Sequence, residues 1–407
     1  MYLFLKKEIK QNYIPCSGKE FVGIIYKKNE IDIYYPKFYK LSEENKEDVY
    51  DLLKAIVLTK RSTRKYNVYK QSTGYFDFPL ESYDWIWKHY KKNGRYFEKE
   101  CRYKENGFGK IDWKKTLKQI PSLINDNFQY LNTINKSYKN TETIMTDIYS
   151  FCVCESYEKV QWMFEKNYPD ICRVNKKISK SLLRIFKDTL LIRLSSTFDD
   201  DLKQLFTHML NVINGCNSGQ SENQVFGIES FDMVFEKMIY TVFHNVGNIS
   251  SYYPKAFYKK TNDLAYLEQA SSLREDTIFI DENQKLFIID SKYYCDSYPQ
   301  VESISKQIVY GEYIENNHKK LSKLKPYKKD QIINVFLLPR ESKNSSEIFS
   351  TNFVYATADW KNGNKLYEKI MCIEVDLCYL IKNWNKNNTS VFQAKFVKII
   401  DSFLNAF

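Results

Sequence analysis

Three adjoining stretches of sequence decide the fold: REDTIFI at residues 274–280, DENQ at 281–284 and KLFIIDSKYY at 285–294. The first and third are rich in β-branched and aromatic residues, and the polar tetrad between them is typical of a turn. The pattern therefore predicts two adjacent strands joined by a short turn. Because successive side chains of a strand alternate between its faces, Asp290 and Lys292 are expected on one face and Ser291 on the other.

The second of these strands is apolar on both faces, which predicts a central strand covered on both sides. Leu286 and Ile288 share the face of Asp290 and Lys292, and the residues between them are apolar as well. Burying an unpaired charge costs several kcal/mol or more, so this aspartate and lysine must pair, bind a metal or lie at a wet cleft. A plain salt bridge at a strand end is the simplest alternative.

Asp276 favours the metal site over that alternative. It lies at the start of the preceding strand, where a hairpin would bring its carboxylate near Asp290. Two carboxylates at adjacent strand ends can bind a hard cation, with the lysine as a charged neighbour. Oxygen ligands suit Mg²⁺, which retains several of its water ligands and binds substrate phosphate. We therefore expect Mg²⁺ as the cofactor, with Asp276, Asp290 and the backbone carbonyl of Ser291 as ligands, and Lys292 beside the reacting phosphate.

The composition predicts a soluble, ordered chain with a positive net charge. The 407 residues include 61 Lys+Arg against 50 Asp+Glu, a net charge of +11 that favours an anionic partner, most commonly nucleic acid. An AT-rich genome would also enrich lysine, so charge alone adds only modest support.

Nine cysteines occur without a C-x-x-C pair and with only four histidines, which favours buried reduced thiols over a zinc site. No signal peptide and no apolar run of membrane-spanning length is visible, so no membrane association and a cytoplasmic location are expected.

A chain of this length predicts two or three domains. The polar stretch Asn214–Ser221, which carries two glycines, is the best boundary. We expect an N-terminal region at residues 1–140 that includes a hairpin at 21–35, a helical connecting region at 141–219, and a third domain at 220–407 that carries the strands described above.

The chemical pattern resembles that of the PD-(D/E)xK nucleases. Asp290-Ser291-Lys292 fits the second element fully, whereas Glu275 stands where the first element usually has proline before Asp276. The chain as a whole resembles the LlaJI family of type II restriction endonucleases, with McrC-type nucleases as more distant relatives. The resemblance spans most of residues 20–380 and rests further on the segments 21–36, 109–116, 226–236 and 334–339.

The resemblance implies an α/β fold: a C-terminal PD-(D/E)xK restriction-endonuclease-like core at 220–407, and an N-terminal mixed α/β and helical region that recognises DNA. It implies a second set of site residues on flanking helices. Glu236, beside an apolar stripe at 231–243, would bind the metal directly or through water, with an ordinary surface glutamate as the alternative. Related nucleases often place Gln or Lys on the helix that follows, and Gln307 is the corresponding residue here. The RecB-like version has Gln and Tyr four residues apart, whereas Gln307 and Tyr310 are three residues apart.

These features predict a Mg²⁺-dependent type II restriction endonuclease that cuts double-stranded DNA sequence-specifically within a restriction–modification system, beside a cognate DNA methyltransferase. One active site cuts one strand, so double-strand cleavage calls for a homodimer, a partner endonuclease subunit or sequential nicking. The alternatives are a repair or modification-dependent DNA nuclease, and a non-catalytic DNA-binding protein with a nuclease-like fold. The intact Asp–Ser–Lys pattern argues against the last of these.

Overall fold

The computed structural model describes residues 10–16, 21–27, 30–41, 46–62, 74–76, 78–124, 127–160, 178–217, 224–261, 263–270, 273–274, 276–293, 297–342, 347–385 and 389–405. The strands are β1 (Lys10–Cys16), β2 (Val22–Tyr26), β3 (Glu30–Pro36), β4 (Gly74–Phe76), β5 (Glu98–Glu105), β6 (Lys110–Ile111), β7 (Ser122–Ile124), β8 (Asn127–Gln129), β9 (Ile134–Thr141), β10 (Gln224–Ile228), β11 (Phe257–Lys260), β12 (Asp263–Gln269), β13 (Thr277–Ile280), β14 (Leu286–Ser291), β15 (Ile332–Arg340), β16 (Phe349–Ser350), β17 (Tyr355–Ala356) and β18 (Ile370–Asp376). The helices are α1 (Lys46–Ser62), α2 (Leu80–Asn93), α3 (Trp113–Thr116), α4 (Ile144–Val160), α5 (Lys180–Ser196), α6 (Asp200–Asn217), α7 (Phe231–Phe243), α8 (Val301–Asn316), α9 (His318–Leu321), α10 (Leu377–Asn383) and α11 (Thr389–Leu404), with 3-10 turns at Ile249–Tyr252 and Leu366–Glu368.

The chain forms two compact units, and the first is discontinuous in sequence. Unit 1 comprises Met1–Phe76 and Asn223–Phe407, and unit 2 comprises Asp77–Glu222. This grouping differs from the three-part division expected from the sequence, because the N-terminal strands join the C-terminal part of the chain. The polar stretch Asn214–Ser221, expected as a domain boundary, is helical in its first half, because α6 continues through Asn217. Residues 218–221 lie outside the described part of the chain.

Long-range strand pairing explains why the N-terminal hairpin belongs to unit 1. The hairpin of β2 and β3 is antiparallel, as predicted. Its β2 strand then pairs antiparallel with β10, and Gly23 lies opposite Gly227. Gly23 has a φ of 152°, and a Cβ there would lie 2.2 Å from the carbonyl oxygen of Phe226, so this crossing of two backbones requires glycine. The complete sheet has the order β1-β3-β2-β10-β4.

A second sheet in unit 1 contains the two strands that opened the sequence analysis. Its order is β13-β14-β15-β18-β16, with β13 antiparallel to β14 and with β14, β15 and β18 mutually parallel. The prediction of a central strand covered on both sides is confirmed, since every residue of β14 is buried. On one face Ile288 packs in a core cluster with Tyr310 of α8. On the other face the ring of Phe287 lies 5.6 Å from that of Phe396 in α11.

Unit 2 combines the helices α2, α4, α5 and α6 with a three-stranded sheet of order β5-β9-β6 and the separate hairpin of β7 and β8. Helices α4, α5 and α6 lie within 141–219, where the sequence predicted a helical region. Cys152 is a buried free thiol, whereas Cys154 is disulfide-bonded. The expectation of reduced thiols is therefore wrong at Cys154, where the spacing of cysteines in the sequence gave no sign of a bridge.

Across the described residues, no helix combines the length and the apolar character that crossing a membrane would need.

Candidate active site

The site lies where β14 and β15 separate at the carboxyl end of their parallel ladder. The backbone N–H of Lys292 donates to the carbonyl of Leu337, at a distance of 3.0 Å. Two residues further along β15 is Pro339, which has no N–H with which to continue the ladder. Proline is tolerated here because the neighbouring strand has ended, and the hydrogen bond from Lys292 is the last that we describe between these two segments.

Asp290 and Lys292 occupy this strand end as an ion pair. The Lys292 Nζ lies 2.9 Å from the Asp290 Oδ1, and the side chains are 26% and 10% exposed respectively. Both belong to the face that Ile288 shares with α8, as the alternation predicted. The pair on its own is also what a structural salt bridge would look like, so the surrounding groups decide what it can do.

Asp276 completes a group of three at the same edge. Thr277 pairs with Ile289 across the hairpin, so Asp276 directly precedes β13 at the level of Asp290. Its Oδ2 accepts a hydrogen bond from the Ser291 backbone N–H at 2.8 Å and another from the Ser291 hydroxyl at 3.1 Å. The Ser291 side chain was expected on the face opposite Asp290, and its hydroxyl nevertheless contacts Asp276 at this edge. Glu275 lies outside the described residues.

The electrostatics show an excess of negative charge around Asp276. Burial raises the pKa of its carboxyl well above the usual range, and the charges of Asp290 and Glu236 raise it further, against smaller opposing effects from Lys292 and the Ser291 N–H. One lysine thus stands among three acidic groups. Carboxylates crowded in this way are relieved by a bound divalent cation, because its charge favours their ionised forms.

Glu236 contributes to this field from α7. The helix is held against β14 by Tyr293, whose ring lies 5.5 Å from that of Phe231 and 5.6 Å from that of Phe235. Within the described residues, no three His, Cys, Asp or Glu side chains are already arranged to hold a metal ion. Glu236 therefore acts on Asp276 through its charge in this structure, and its part as a metal ligand stays a prediction.

Gln307 lies on α8, on the face that packs against the sheet. It is fully buried, and both polar atoms of its side-chain amide lack a hydrogen-bond partner among the described residues. Its backbone is fixed, since its carbonyl accepts a 2.7 Å hydrogen bond from the Asn334 side chain on β15. Asn334 pairs with Ile288, two residues before Asp290. Leaving this buried amide without a partner is costly.

Two features of the site were missed in the sequence. Asn245 hydrogen-bonds through its side-chain amide to both backbone groups of Ile280, at 2.7 and 2.9 Å, and so holds the edge strand that carries Asp276. Glu302, in the first turn of α8, is close enough to Lys292 for the lysine charge to contribute to lowering its pKa, although its main partner is Lys306. The i,i+4 spacing of Glu302 and Lys306 was a visible signal of that pair, whereas nothing local links Asn245 to a strand 35 residues away.

Replacing Asp276 by asparagine tests the electrostatic description. A carboxyl whose pKa is raised by folding stabilises the fold fully below its unfolded pKa, near 3.8, and this contribution is lost as the pH rises through the folded value. Without divalent metal, Asp276→Asn should therefore be more stable than the wild type at pH 7–8, and the difference should shrink towards pH 4. Thermal unfolding in EDTA across this pH range measures it. Asp359→Asn, which changes an exposed carboxyl of the same unit, is the control, and a wild type more stable than Asp276→Asn at pH 8 would contradict the prediction.

Comparison with known proteins assigns the class of this chain. A family model described as LlaJI restriction endonuclease matches residues 21–361, which places the chain among the restriction endonucleases. The match covers the hairpin of β2 and β3, unit 2 and the strands that carry Asp276 and Asp290. The chain belongs to the LlaJI restriction endonuclease family.

Two individual proteins are similar to this chain. One is the type II restriction enzyme BsuMI component YdjA of Bacillus subtilis (strain 168), 24% identical over 341 residues that cover 76% of this chain and 67% of that protein. The other is a chain of a solved half-complex from a tetradecameric assembly of Thermococcus gammatolerans McrB AAA+ hexamers with bound McrC. It has a TM-score of 0.35 and 13% identity, with 94% of this chain and 83% of that chain covered. A TM-score of this size does not establish a shared fold.

Proposed function

We propose that this restriction endonuclease makes Mg²⁺-dependent, sequence-specific cuts in double-stranded DNA, as the defensive half of a type II restriction–modification system. The observation that carries the proposal is the group formed by Asp276, Asp290 and Lys292 at one open strand end, in a chain of this family. The arrangement of three parallel strands, with antiparallel β13 at one edge and antiparallel β16 and β17 at the other, is compatible with a PD-(D/E)xK core. A cognate methyltransferase would protect the host DNA.

The residues at this edge fit a magnesium ion. Asp276 and Asp290 would hold it, together with the backbone carbonyl of Ser291. The N–H and C=O of one strand residue point to the same side, and the Ser291 N–H points at Asp276, so its carbonyl is directed to the same side. When bound, Mg²⁺ polarises the scissile phosphate and lowers the pKa of an attacking water.

The chain's own groups would position the reactants. Lys292, released from its ion pair once a cation neutralises Asp290, would orient the attacking water or stabilise negative charge that develops on the phosphate. Gln307 would donate from its unsatisfied amide to a phosphate oxygen or to water. Glu236 would accept hydrogen bonds from water on the far side of Asp276. Lys292 directly follows β14, Gln307 belongs to α8 and Glu236 to α7, which supports a role for all three in positioning the reactants.

Double-strand cleavage would use more than one copy of the site. The relative from B. subtilis is described as a component of its enzyme, which favours a partner endonuclease subunit for this chain, with a homodimer as the other arrangement.

The test is digestion of unmodified plasmid DNA by the purified protein with Mg²⁺, alone and with the products of neighbouring genes, followed by sequencing of the ends. Recurrent ends at one short sequence, and protection of DNA from the native host, are the expected result. Random ends, or cleavage only of modified DNA, would contradict the proposed specificity.

A further inference from the structure

A basic segment joins α8 to β15 in unit 1. It comprises α9 and the loop that follows it, residues 318–330, here called the lysine loop; these read HKKLSKLKPYKKD and contain six lysines against one aspartate. The loop lies at the end of the sheet where β15 begins, since the Lys328 N–H donates to the Gln284 carbonyl just before β14. The site described above lies at the other end of β14.

The lysine loop is firmly built into the fold. Leu321 is fully buried and Tyr327 is 4% exposed, and both belong to the core cluster that contains Ile288. The Tyr327 hydroxyl donates to the carbonyl of Ile314 at 3.0 Å, and the His318 ring donates from Nε2 to the Tyr327 carbonyl at 3.0 Å. Two apolar anchors thus hold the backbone, and Lys319, Lys320, Lys323 and Lys328 around them are exposed.

Four of the lysines have no acidic partner. Lys319, Lys320, Lys323 and Lys328 are exposed, and none forms an ion pair with a carboxylate of the described residues. The other two are engaged: Lys325 donates to the Asn245 carbonyl, and the charge of Lys329 helps to lower the pKa of Glu315. Like charges held together repel one another and destabilise the fold. An anionic surface bound to these lysines would offset that repulsion.

We propose that the lysine loop binds the phosphate backbone of double-stranded DNA, a role that rests on the proposed function. Gln284 ends the turn before β14, six residues before Asp290, so the two are separated by at most about 20 Å, which corresponds to about six base-pair steps of DNA. A duplex with its scissile phosphate at Asp290 would therefore contact the lysine loop a few base pairs away from that phosphate. Contacts to phosphate position a duplex without reading its sequence.

The experiment compares two matched double variants of the full chain. Lys320→Gln/Lys323→Gln removes two charges from the lysine loop. Lys395→Gln/Lys398→Gln removes two exposed charges at the same spacing from α11 of the same unit. Both are made in an Asp290→Ala background, and binding to a random-sequence duplex is followed by fluorescence anisotropy between 50 and 200 mM salt without divalent metal.

Each phosphate contact contributes about 0.9 to the slope of log affinity against log salt. The lysine-loop variant should therefore lose about 1.8 from the slope, so that its affinity falls about tenfold less over this range of salt. Lys319→Gln/Lys328→Gln should show the same change, and the α11 control should keep the wild-type slope. An unchanged slope in both loop variants, or an equal change in the control, overturns the proposal and leaves an acidic protein surface as the partner to be sought. The readout is binding alone, so it is independent of whether Asp290 proves to be catalytic.

Discussion

Asp290→Ala is expected to abolish DNA cleavage while leaving DNA binding intact. Loss of a metal ligand removes several kcal/mol of transition-state stabilisation, which lowers the rate by roughly a thousandfold or more. Lys292→Ala and Asp276→Ala should have effects of the same size. Ser291→Ala should be far milder, because the backbone N–H that donates to Asp276 remains and only the hydroxyl is lost. A cleavage assay beside a gel shift on the same purified variants measures both properties.

The same strand supplies a matched control for this experiment. Lys285, just before β14, forms an ion pair with Asp401 at 2.5 Å, and these side chains are 19% and 33% exposed. If Asp290 and Lys292 were only a structural pair, Asp290→Ala and Asp401→Ala would lower stability alike and spare the activity alike. Near-normal cleavage by Asp290→Ala would contradict the active-site assignment. Unfolding of all three alanine variants at the strand end would support a buried salt bridge instead.

Removal of divalent metal should have an effect as large as any of these substitutions. Cleavage should require Mg²⁺ or Mn²⁺, stop completely in EDTA and return when excess Mg²⁺ is added, because oxygen ligands alone are available at Asp276, Asp290 and Ser291. Mg²⁺ should also raise the unfolding temperature of the wild type, since a ligand that binds only the folded state stabilises it. Undiminished cleavage after exhaustive dialysis against EDTA would exclude the mechanism proposed here. Asp401→Ala is the control and should keep the wild-type metal dependence.

The sequence predicted the parts of the site that depend on local pattern. Alternation along 285–292 correctly placed Asp290 and Lys292 together on a covered strand, because side-chain direction in a strand follows from sequence position alone. The antiparallel pairing of β13 with β14 followed from the short polar turn between them. The helix α7 was visible as an apolar stripe at 231–243, and a helix around Gln307 was expected from related nucleases, so the elements that carry Glu236 and Gln307 were predicted as well.

What depends on contacts between distant segments could not be predicted. The pairing of β2 with β10 has no local signal, since two short apolar strands can pair with many others. The hydrogen bonds that Ser291 donates to Asp276 join residues 15 positions apart, and no local pattern indicates them. The unsatisfied amide of Gln307 likewise results from packing of α8 on Asn334.

The discontinuity of unit 1 has a consequence for how the enzyme is made. On the ribosome, β2 is synthesised early and must wait for β10, which emerges only after all of unit 2. At bacterial elongation rates of about 5–20 residues per second, this wait is on the order of tens of seconds. Asp276, Asp290 and Lys292 emerge later still, and β18 of the same sheet follows them. A nascent chain that stops before β18 thus lacks part of the sheet that carries the candidate site.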